Sequence, residues 1–238
     1  MARSAASITL YHCAGARERF TQPTLTPHRP HSDYPTWTCC TVAGSLRVLW
    51  AMKEMQLEGY RLVTMPFPPR FLAKDFLQLN RLGTIPYMVD SDSEDPSAGM
   101  TESCAAPVYL AEKFGSPDPE AELVVRPSEP GFSQYLNWLF HADATLTFPQ
   151  TILLRYREQE PDKGLQTAGE DYGKWYIARL RMLDATLEDG REFLVADRFT
   201  LADICITYAL FLGTTLGLDE RYKPQTKAYL ERMMARPA

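Results

Sequence analysis

A proline stands inside one of the most strand-like stretches of this sequence. Residues 82–90 read LGTIPYMVD, and Pro86 interrupts their apolar run. A proline donates no ladder hydrogen bond and its ring fixes φ, so it is excluded from the middle of a sheet. Two interpretations are open: an ordinary edge strand, or a strand start whose backbone is left free to pair with a ligand.

A second pattern with a direct physical meaning is FTLADI, at residues 199–204. Thr200 can cap the start of a helix, while the carboxylate of Asp203, three residues on, accepts a hydrogen bond from the Thr200 N–H. Such a capping box predicts where a helix begins. Alone it says nothing about what the protein does.

The cysteines and histidines indicate neither a disulfide framework nor a metal site. The five cysteines are Cys13, Cys39, Cys40, Cys104 and Cys205. Their odd number and wide spacing, without a C-x-x-C pair, argue against disulfides and fit a reducing compartment. Cys39 and Cys40 follow His28 and His31, but this spacing matches no standard metal site. We therefore expect no bound metal.

Composition predicts a soluble globular protein of one or two domains, since 45% of the residues are hydrophobic and 23% are charged. The net charge of −5, without a long run of like charge, argues against a nucleic-acid partner. The chain shows no apolar run long enough for a secretory signal or a membrane helix. We expect a cytoplasmic protein that does not bind membranes.

Strand and helix patterns alternate over the first 115 residues. Strands are predicted at 7–13, 60–67, 84–90 and 99–103, and helices at 45–56, 69–83 and 103–115. This β-α-β-α-β-β-α order predicts a small mixed sheet with helices on both faces. Ser45 directly precedes an apolar helical run, so we expect it to be the N-cap of the first helix.

After the proline-rich stretch 116–131, the pattern is helical only. Helices are predicted over 132–159, 170–189 and 200–217. Pro149 is expected to kink or break the first of them. The last is apolar on nearly all sides, which predicts a buried helix.

Together, these motifs resemble the cytosolic glutathione transferase family. REFLVADR before FTLADI, and GTIPYMVD before MTES, carry a resemblance that covers nearly the whole chain except residues 15–44 and the extreme C-terminus. It implies an α/β thioredoxin-like N-terminal domain at 1–116, with an atypical insert at 15–44, and an all-α C-terminal domain at 128–238. It also implies a homodimer with glutathione as co-substrate and no cofactor.

The resemblance also assigns roles to particular residues. Pro86 is expected to be cis, and Ile85 to pair its backbone with the cysteinyl part of glutathione. Glu102 is expected to hold the ammonium of the γ-glutamyl group, while Ser103 and free N–H groups at a helix start hold its carboxylate. A pocket for a small hydrophobic electrophile, between the two domains, is predicted to be lined by Trp138, His141, Thr145 and Phe148.

The turn that should activate the glutathione thiol departs from the family pattern. The family places a Ser, Tyr or Cys between the first strand and the first helix, where a donor and the helix dipole stabilise the thiolate. Residues 15–44, with four prolines, intervene here. They are either a genuine active-site loop or translated intron sequence, and we favour the second because their removal restores an ordinary junction. Ser45 is our first choice as donor, with Tyr11 and Cys13 as alternatives.

The resemblance predicts a glutathione transferase that conjugates the glutathione thiolate to small hydrophobic electrophiles, a detoxification reaction. The interrupted turn favours one alternative, a non-catalytic glutathione-fold binding module or inactive variant. A second alternative is a glutathione-dependent thiol oxidoreductase or isomerase, which requires a reactive Cys13.

Overall fold

The chain folds into two compact units. A computed structural model describes residues 3–13, 44–66, 72–95, 99–116, 118 and 122–237. Unit 1 is Met1–Phe114 and unit 2 is Gly115–Pro237. Except for Gly44, the predicted insert at 15–44 lies outside the described residues.

Unit 1 combines a small mixed sheet with helices. Its elements are β1 Arg3–Ser4, β2 Ile8–Cys13, α1 Ser45–Glu54, β3 Leu57–Glu58, β4 Arg61–Met65, α2 Phe76–Leu79, β5 Tyr87–Asp90 and α3 Ala105–Phe114. The three-stranded sheet has the order β4-β2-β5, with β2 parallel to β4 and antiparallel to β5. The short strands β1 and β3 form a separate parallel pair.

The central strand β2 explains why the sheet forms. Its residues alternate in burial along most of the strand, as expected for a strand with one face on the core. In the ladder, Tyr11 lies opposite Val63 of β4 and opposite Tyr87 of β5. The predicted mixed sheet and the thioredoxin-like α/β class of this half are therefore confirmed.

Two predicted elements of unit 1 are shorter than expected. In the described part of the predicted helix 69–83, the main helical element is the four-residue α2. It ends at Asn80, because the side chain of this residue donates to the Thr84 carbonyl and accepts from the Leu82 N–H. The predicted strand 99–103 contributes one antiparallel bridge, between Met100 and Met88.

The start of α1 also differs from the prediction. Gly44 is the N-cap, and Ser45 is the first helical residue, without a capping hydrogen bond from its side chain. The N-cap assignment of Ser45 is therefore wrong by one position. Gly44 already has helical dihedral angles, with φ −55° and ψ −13°, so Ser45 lies inside the first turn and not before it.

An ion pair between a buried carboxylate and an exposed lysine joins the sheet of unit 1 to α3. The carboxylate of Asp90, at the end of β5, accepts hydrogen bonds from the Lys113 ammonium and, at 2.5 Å, from the Tyr109 hydroxyl. Burial raises the pKa of Asp90, but the hydrogen bonds from Lys113, Tyr109 and the Asp92 N–H outweigh burial and lower this pKa to about 2. The same contact raises the pKa of Tyr109 to about 12.

This cluster predicts an acid-sensitive contribution to stability. The folded-state pKa of Asp90 lies below the ordinary value of 3.8, so its contribution is complete above pH 3.8 and is lost as pH falls towards 2. We expect Asp90→Asn to lower the free energy of unfolding by about 2 kcal/mol at pH 7. The difference should vanish near pH 2 in urea titrations. Asp171→Asn, in an exposed pair with Lys174, is the control and should change it by less than about 0.5 kcal/mol.

Unit 2 is entirely helical in its described residues. Its α-helices are α4 Phe132–Phe140, α5 Phe148–Leu154, α6 Gln166–Arg179, α7 Arg181–Thr186, α8 Leu201–Thr215 and α9 Pro224–Met234, with π-helical turns at His141–Thr147 and Arg155–Gln159 and short 3₁₀ turns at Pro161–Lys163, Leu187–Asp189 and Asp219–Arg221. Helix α8 is buried along most of its length, as predicted. Its capping box is present, with Thr200 as N-cap and Asp203 accepting from the Thr200 N–H at 2.9 Å. The all-α class of this half is confirmed.

Pro149 stands in the first turn of α5, directly after a change from π-helical to α-helical winding. The chain passes from α4 through the π-helical segment His141–Thr147, called the π segment below, directly into α5. Because proline lacks an N–H and its ring crowds the preceding turn, a wider winding before it relieves both problems. Side chains donate hydrogen bonds to two carbonyl groups of this segment: the Thr147 hydroxyl to Ala142, and the Gln150 amide to Leu146. The Gln150 amide also donates to the Ala209 carbonyl of α8.

Within the described residues, the helices fall short of the length and hydropathy that a membrane crossing requires.

Candidate functional site

The peptide group of Ile85 is the first element of a candidate site in unit 1. The Ile85–Pro86 bond is cis, as predicted. Strand β5 begins only at Tyr87, and the N–H and C=O of Ile85 make no hydrogen bond with the described part of the chain. Because backbone polar groups are normally paired, this half-buried peptide offers one donor and one acceptor to a ligand.

The start of α1 meets Pro86 and Ser103 at one point. A Cβ built on Gly44 would lie 2.8 Å from Ser103 Oγ and 3.3 Å from Pro86 Cδ. The Met88–Met100 bridge brings the two segments together, because its antiparallel register continues towards Ile85 and Ser103. Segments that are distant in sequence therefore converge around Gly44.

A buried arginine supports Ser103 from behind. Arg47 of α1 is only 1% exposed, and its Nη1 donates to Ser103 Oγ at 2.6 Å. A hydroxyl that accepts from a guanidinium keeps its own proton for another acceptor. The positive charge beside it favours an anionic partner for Ser103.

The acidic member of the site is Glu102, one residue earlier. Its side chain is exposed, and within the described residues it accepts a hydrogen bond only from the Thr101 hydroxyl, at 3.2 Å. Its carbonyl accepts from the N–H groups of Ala105 and Ala106 as α3 begins. Pro107 is the third residue of α3, where a missing N–H removes no intrahelical hydrogen bond.

The arrangement suits an α-amino-acid head group that continues into a peptide bond. The Glu102 carboxylate can accept from an ammonium group, and the Ser103 hydroxyl with Arg47 behind it can hold a carboxylate. The free peptide of Ile85 can then pair with the ligand backbone in the manner of an added strand. The three recognition elements differ in chemistry, so they would orient such a ligand in one direction.

The contact between Gly44 and Ser103 gives a stability prediction. Gly44→Ala places a methyl group 2.8 Å from both Cβ and Oγ of Ser103. We expect a loss of about 1–3 kcal/mol in the free energy of unfolding, as for other overpacked sites, measured by urea denaturation. Ser103→Gly removes the colliding atoms. In a double-mutant cycle it should recover a large part of the loss, and simple additivity would contradict this packing account.

Unit 2 contains a separate cavity of about 500 Å³. Its lining residues are His141, Ala144, Thr145, Phe148, Pro149, Trp175, Ala178, Arg179, Arg181 and Met182. Three of the four residues predicted to line a second-substrate pocket are among them. The fourth, Trp138, is buried and stands edge-on against the His141 ring, with centroids 5.5 Å apart.

Among the described residues that line the cavity, two are arginines and none is acidic. Burial lowers the pKa of His141, and the nearby positive charge of Arg179 lowers it further, so the imidazole is neutral at neutral pH. Its Nε2 is buried and has no hydrogen-bond partner in the described structure. The guanidinium of Arg179 lies over the ring of Trp175, 5.0 Å from its centroid. This combination offers a polar end and an aromatic wall to a ligand.

Comparisons with known proteins agree with this architecture. The family profile described as "Glutathione S-transferase, C-terminal domain" matches residues 150–237. Glutathione S-transferase 2 of Schizosaccharomyces pombe is 27% identical over 209 residues, which cover 81% of this chain and 86% of the yeast protein.

Two solved structures have the same fold over nearly the whole chain. Glutathione transferase URE2P8 from Phanerochaete chrysosporium, with oxidised glutathione, has a TM-score of 0.67 at 20% identity and covers 98% of this chain and 91% of its own. A family member from Pseudomonas fluorescens, with two glutathione molecules bound, has a TM-score of 0.70 at 20% identity and covers 98% and 90%. The family profile, the curated relative and the solved structures together support an assignment to the glutathione S-transferase family. In this family glutathione is a substrate or ligand, and no prosthetic cofactor is used.

The three candidate thiol-activating residues differ in exposure. Ser45 is 0% exposed, and its Oγ has no hydrogen-bond partner among the described residues. Cys13, the last residue of β2, is also 0% exposed. Tyr11 is partly exposed, and its ring packs against Phe76 and Tyr87. The burial of Cys13 disfavours thiol chemistry at that position, because a reactive thiolate must be accessible.

Two residues of the candidate site in unit 1 were not predicted from the sequence. Arg47 interrupts the apolar run LRVLW, and a charged residue inside such a run needs a partner when it is buried. That interruption was the available signal. Gly44 gave none, because its close approach to Ser103 and Pro86 depends on packing.

The described residues contain no group of three or more His, Cys, Asp or Glu side chains placed to hold a metal ion. The four residues weighed as metal ligands from the sequence, His28, His31, Cys39 and Cys40, lie outside the described residues.

Proposed function

We propose that this protein is a glutathione transferase that conjugates glutathione to small hydrophobic electrophiles. The observation that carries the proposal is the peptide group of Ile85, which is unpaired within the described residues, beside the hydrogen-bonded pair Arg47 and Ser103. By the same family resemblance, we propose a cytoplasmic homodimer that acts in detoxification.

The γ-glutamyl and cysteinyl residues of glutathione have proposed partners in unit 1. The Glu102 carboxylate accepts from the γ-glutamyl ammonium, and the Ser103 hydroxyl donates to the γ-glutamyl carboxylate, with the Arg47 charge behind it. The backbone of Ile85 pairs with the cysteinyl residue, and Pro86 holds this peptide at the start of β5. The bound tripeptide then presents its sulfur in one fixed direction.

The chemical step is a substitution by the thiolate. The sulfur forms a bond to the electrophilic carbon, and the leaving group departs with the electron pair of the broken bond. Ser45 remains our proposed donor to the thiolate, and the unpartnered state of its Oγ supports it. Because Ser45 is buried, donation requires the side chains that cover it to move.

Glutathione binding is tested by calorimetric titration of the full chain. Glu102→Gln should weaken binding about tenfold, since it removes the charge from a charge-assisted hydrogen bond. The control is Glu58→Gln, which removes an exposed carboxylate of β3 in the same unit and should leave affinity unchanged. Absence of glutathione binding, or equal affinity in the two variants, would refute the proposed site.

Turnover of a generic aryl chloride tests catalysis and the choice of donor. Ser45→Ala should reduce kcat about 100-fold with little change in glutathione affinity, the loss typical of one removed donor to a developing negative charge. A full chain that binds glutathione without turnover favours the non-catalytic binding module. Loss of turnover in Cys13→Ser, with rapid alkylation of Cys13 in the native protein, would favour the thiol oxidoreductase instead.

The role of residues 15–44 is tested by deletion, with one adjustment that the structure requires. Gly44 is the N-cap of α1 and packs against Ser103, so the deletion should end at residue 43. Turnover only in the shortened chain would identify the segment as foreign to the working enzyme. Turnover in the full chain would make the segment a genuine part of it.

A further inference from the structure

The π segment and one wall of the unit 2 cavity are the same stretch of chain. The segment is seven residues long, and three of its residues, His141, Ala144 and Thr145, line the cavity. Phe148 and Pro149, which follow directly, line it as well. π-Helical turns are rare and occur frequently at functional sites. What holds the unusual winding in place therefore also shapes this wall.

A side chain closes the last turn of the π segment. The hydroxyl of Thr147 donates to the carbonyl of Ala142, five residues earlier, at 2.7 Å. The backbone N–H of Phe148 likewise donates to the carbonyl of Asp143, also five residues earlier. This spacing is that of a π turn, whereas an α-helical hydrogen bond joins residues four apart. The Thr147 hydroxyl thus reinforces the wide winding next to the cavity.

A buried amide fixes the far end of the π segment. Pro149 has no N–H with which to continue the helical ladder. Directly after it, Gln150 is 0% exposed, and its amide donates to the carbonyls of Leu146, at 3.0 Å, and of Ala209 in α8, at 2.9 Å. The segment is therefore anchored to α8 on this side, and the hydrogen bond from Thr147 supports the turn that precedes the anchor.

From these contacts we infer that Thr147 is a positioning residue for the second substrate, although it does not itself line the cavity. Its hydroxyl holds the winding that sets the directions of His141 and Thr145 on the wall. Without the hydroxyl the segment can relax towards α-helical winding, which rotates the wall residues relative to one another. The inference rests on the proposed function in one respect: it takes the cavity as the place where the electrophile binds.

Thr147→Val and Thr147→Ser separate the hydroxyl from the shape of the side chain. Valine keeps the branched shape and loses the hydroxyl, whereas serine keeps the hydroxyl. Turnover is measured with glutathione and the neutral aryl chloride 1-chloro-2,4-dinitrobenzene. Thr147→Val should raise KM for the aryl chloride about fivefold and leave kcat within about twofold, as expected when one hydrogen bond that shapes a binding wall is lost. Thr147→Ser should keep KM within about twofold of the native value.

Thr151→Val is the matched control. The Thr151 hydroxyl also donates to a carbonyl, that of Phe148 at 2.7 Å, but it does so across three residues within α5. Thr151 is exposed and does not line the cavity, so Thr151→Val should leave KM and kcat within about twofold. Glutathione affinity should stay unchanged in all three variants. An unchanged KM in Thr147→Val, an equal rise in Thr151→Val, or no recovery in Thr147→Ser would overturn the inference.

Calorimetric titration with 1,3-dinitrobenzene separates this inference from the transferase reaction, since the compound has no leaving group and cannot be turned over. If the native protein does not conjugate the aryl chloride, the proposed transferase function fails, and the titration decides the inference by itself. Thr147→Val should then weaken dinitrobenzene binding about fivefold, and Thr147→Ser and Thr151→Val should leave it within about twofold. In that case equal affinities of the native protein and Thr147→Val, or no binding at millimolar concentration, would contradict the role of Thr147.

Discussion

Asp203→Ala is expected to lower the free energy of unfolding by about 3–5 kcal/mol, since it leaves several buried donors without an acceptor. The Asp203 carboxylate accepts from the N–H groups of Leu194 and Thr200, at 3.0 and 2.9 Å, and from the hydroxyls of Thr200 and Tyr229, at 3.1 and 2.8 Å. It thereby ties α8 to α9 and to the chain before the helix. Urea denaturation of the full chain measures the loss.

Two comparison variants show how much of the loss comes from the buried hydrogen-bond network. Asp171→Ala removes an exposed carboxylate and should change the free energy of unfolding by less than about 0.5 kcal/mol. Tyr229→Phe removes one of the four donors and should cost about 1 kcal/mol. An Asp203→Ala loss no larger than that of Tyr229→Phe would show that the network contributes little beyond a single hydrogen bond.

Gly213→Ala is the second substitution with a large expected effect. A Cβ at this position of α8 would lie 1.9 Å from Tyr222 Oη and 2.8 Å from Tyr176 Oη. The two hydroxyls are buried, 2.5 Å apart, and Tyr222 also donates to the Leu210 carbonyl. The added methyl group must displace this pair. We expect a loss of about 2–3 kcal/mol in the free energy of unfolding, after the gain in helix propensity from glycine to alanine is subtracted.

Gly169→Ala in α6 is the matched control for Gly213→Ala. Its Cβ would meet no atom closer than 3.4 Å, so the substitution should be neutral or raise the free energy of unfolding by up to about 1 kcal/mol. Adding Tyr222→Phe to Gly213→Ala removes the closest colliding atom and should restore part of the loss. A Gly213→Ala protein as stable as Gly169→Ala would contradict the tight packing at this point.

The capping box shows which features the sequence alone could predict. Thr200 and Asp203 are three residues apart, and their hydrogen bond depends on the geometry of one helical turn, so the motif identifies the start of α8 without any tertiary information. Strand β2 was likewise predictable, because burial on one face of a sheet alternates with every residue. The cis bond at Pro86 was expected from the motif around it and is present.

Elements whose form depends on their neighbours were predicted less well. Gly44, and not Ser45, is the N-cap of α1, and it lies so close to Ser103 and Pro86 that a larger residue would collide with them. Pro149 was expected to break or kink a helix, and in the structure the winding changes from π-helical to α-helical just before it, at Phe148. In both cases the sequence indicated the kind of local feature, a helix start or an irregular helix, and the tertiary structure shows its exact position and winding.

The amino-acid sequence by itself determined the order of strands and helices, the buried helix α8 with its cap, and the likeness to a known family. Only the tertiary structure placed Arg47 against Ser103, 56 residues away, and brought Arg179 to the same cavity as His141. The physical reason is the separation in sequence between the residues that interact. Periodicity and capping arise from contacts within a few residues, whereas a binding site is made by side chains that meet only when separate elements pack together.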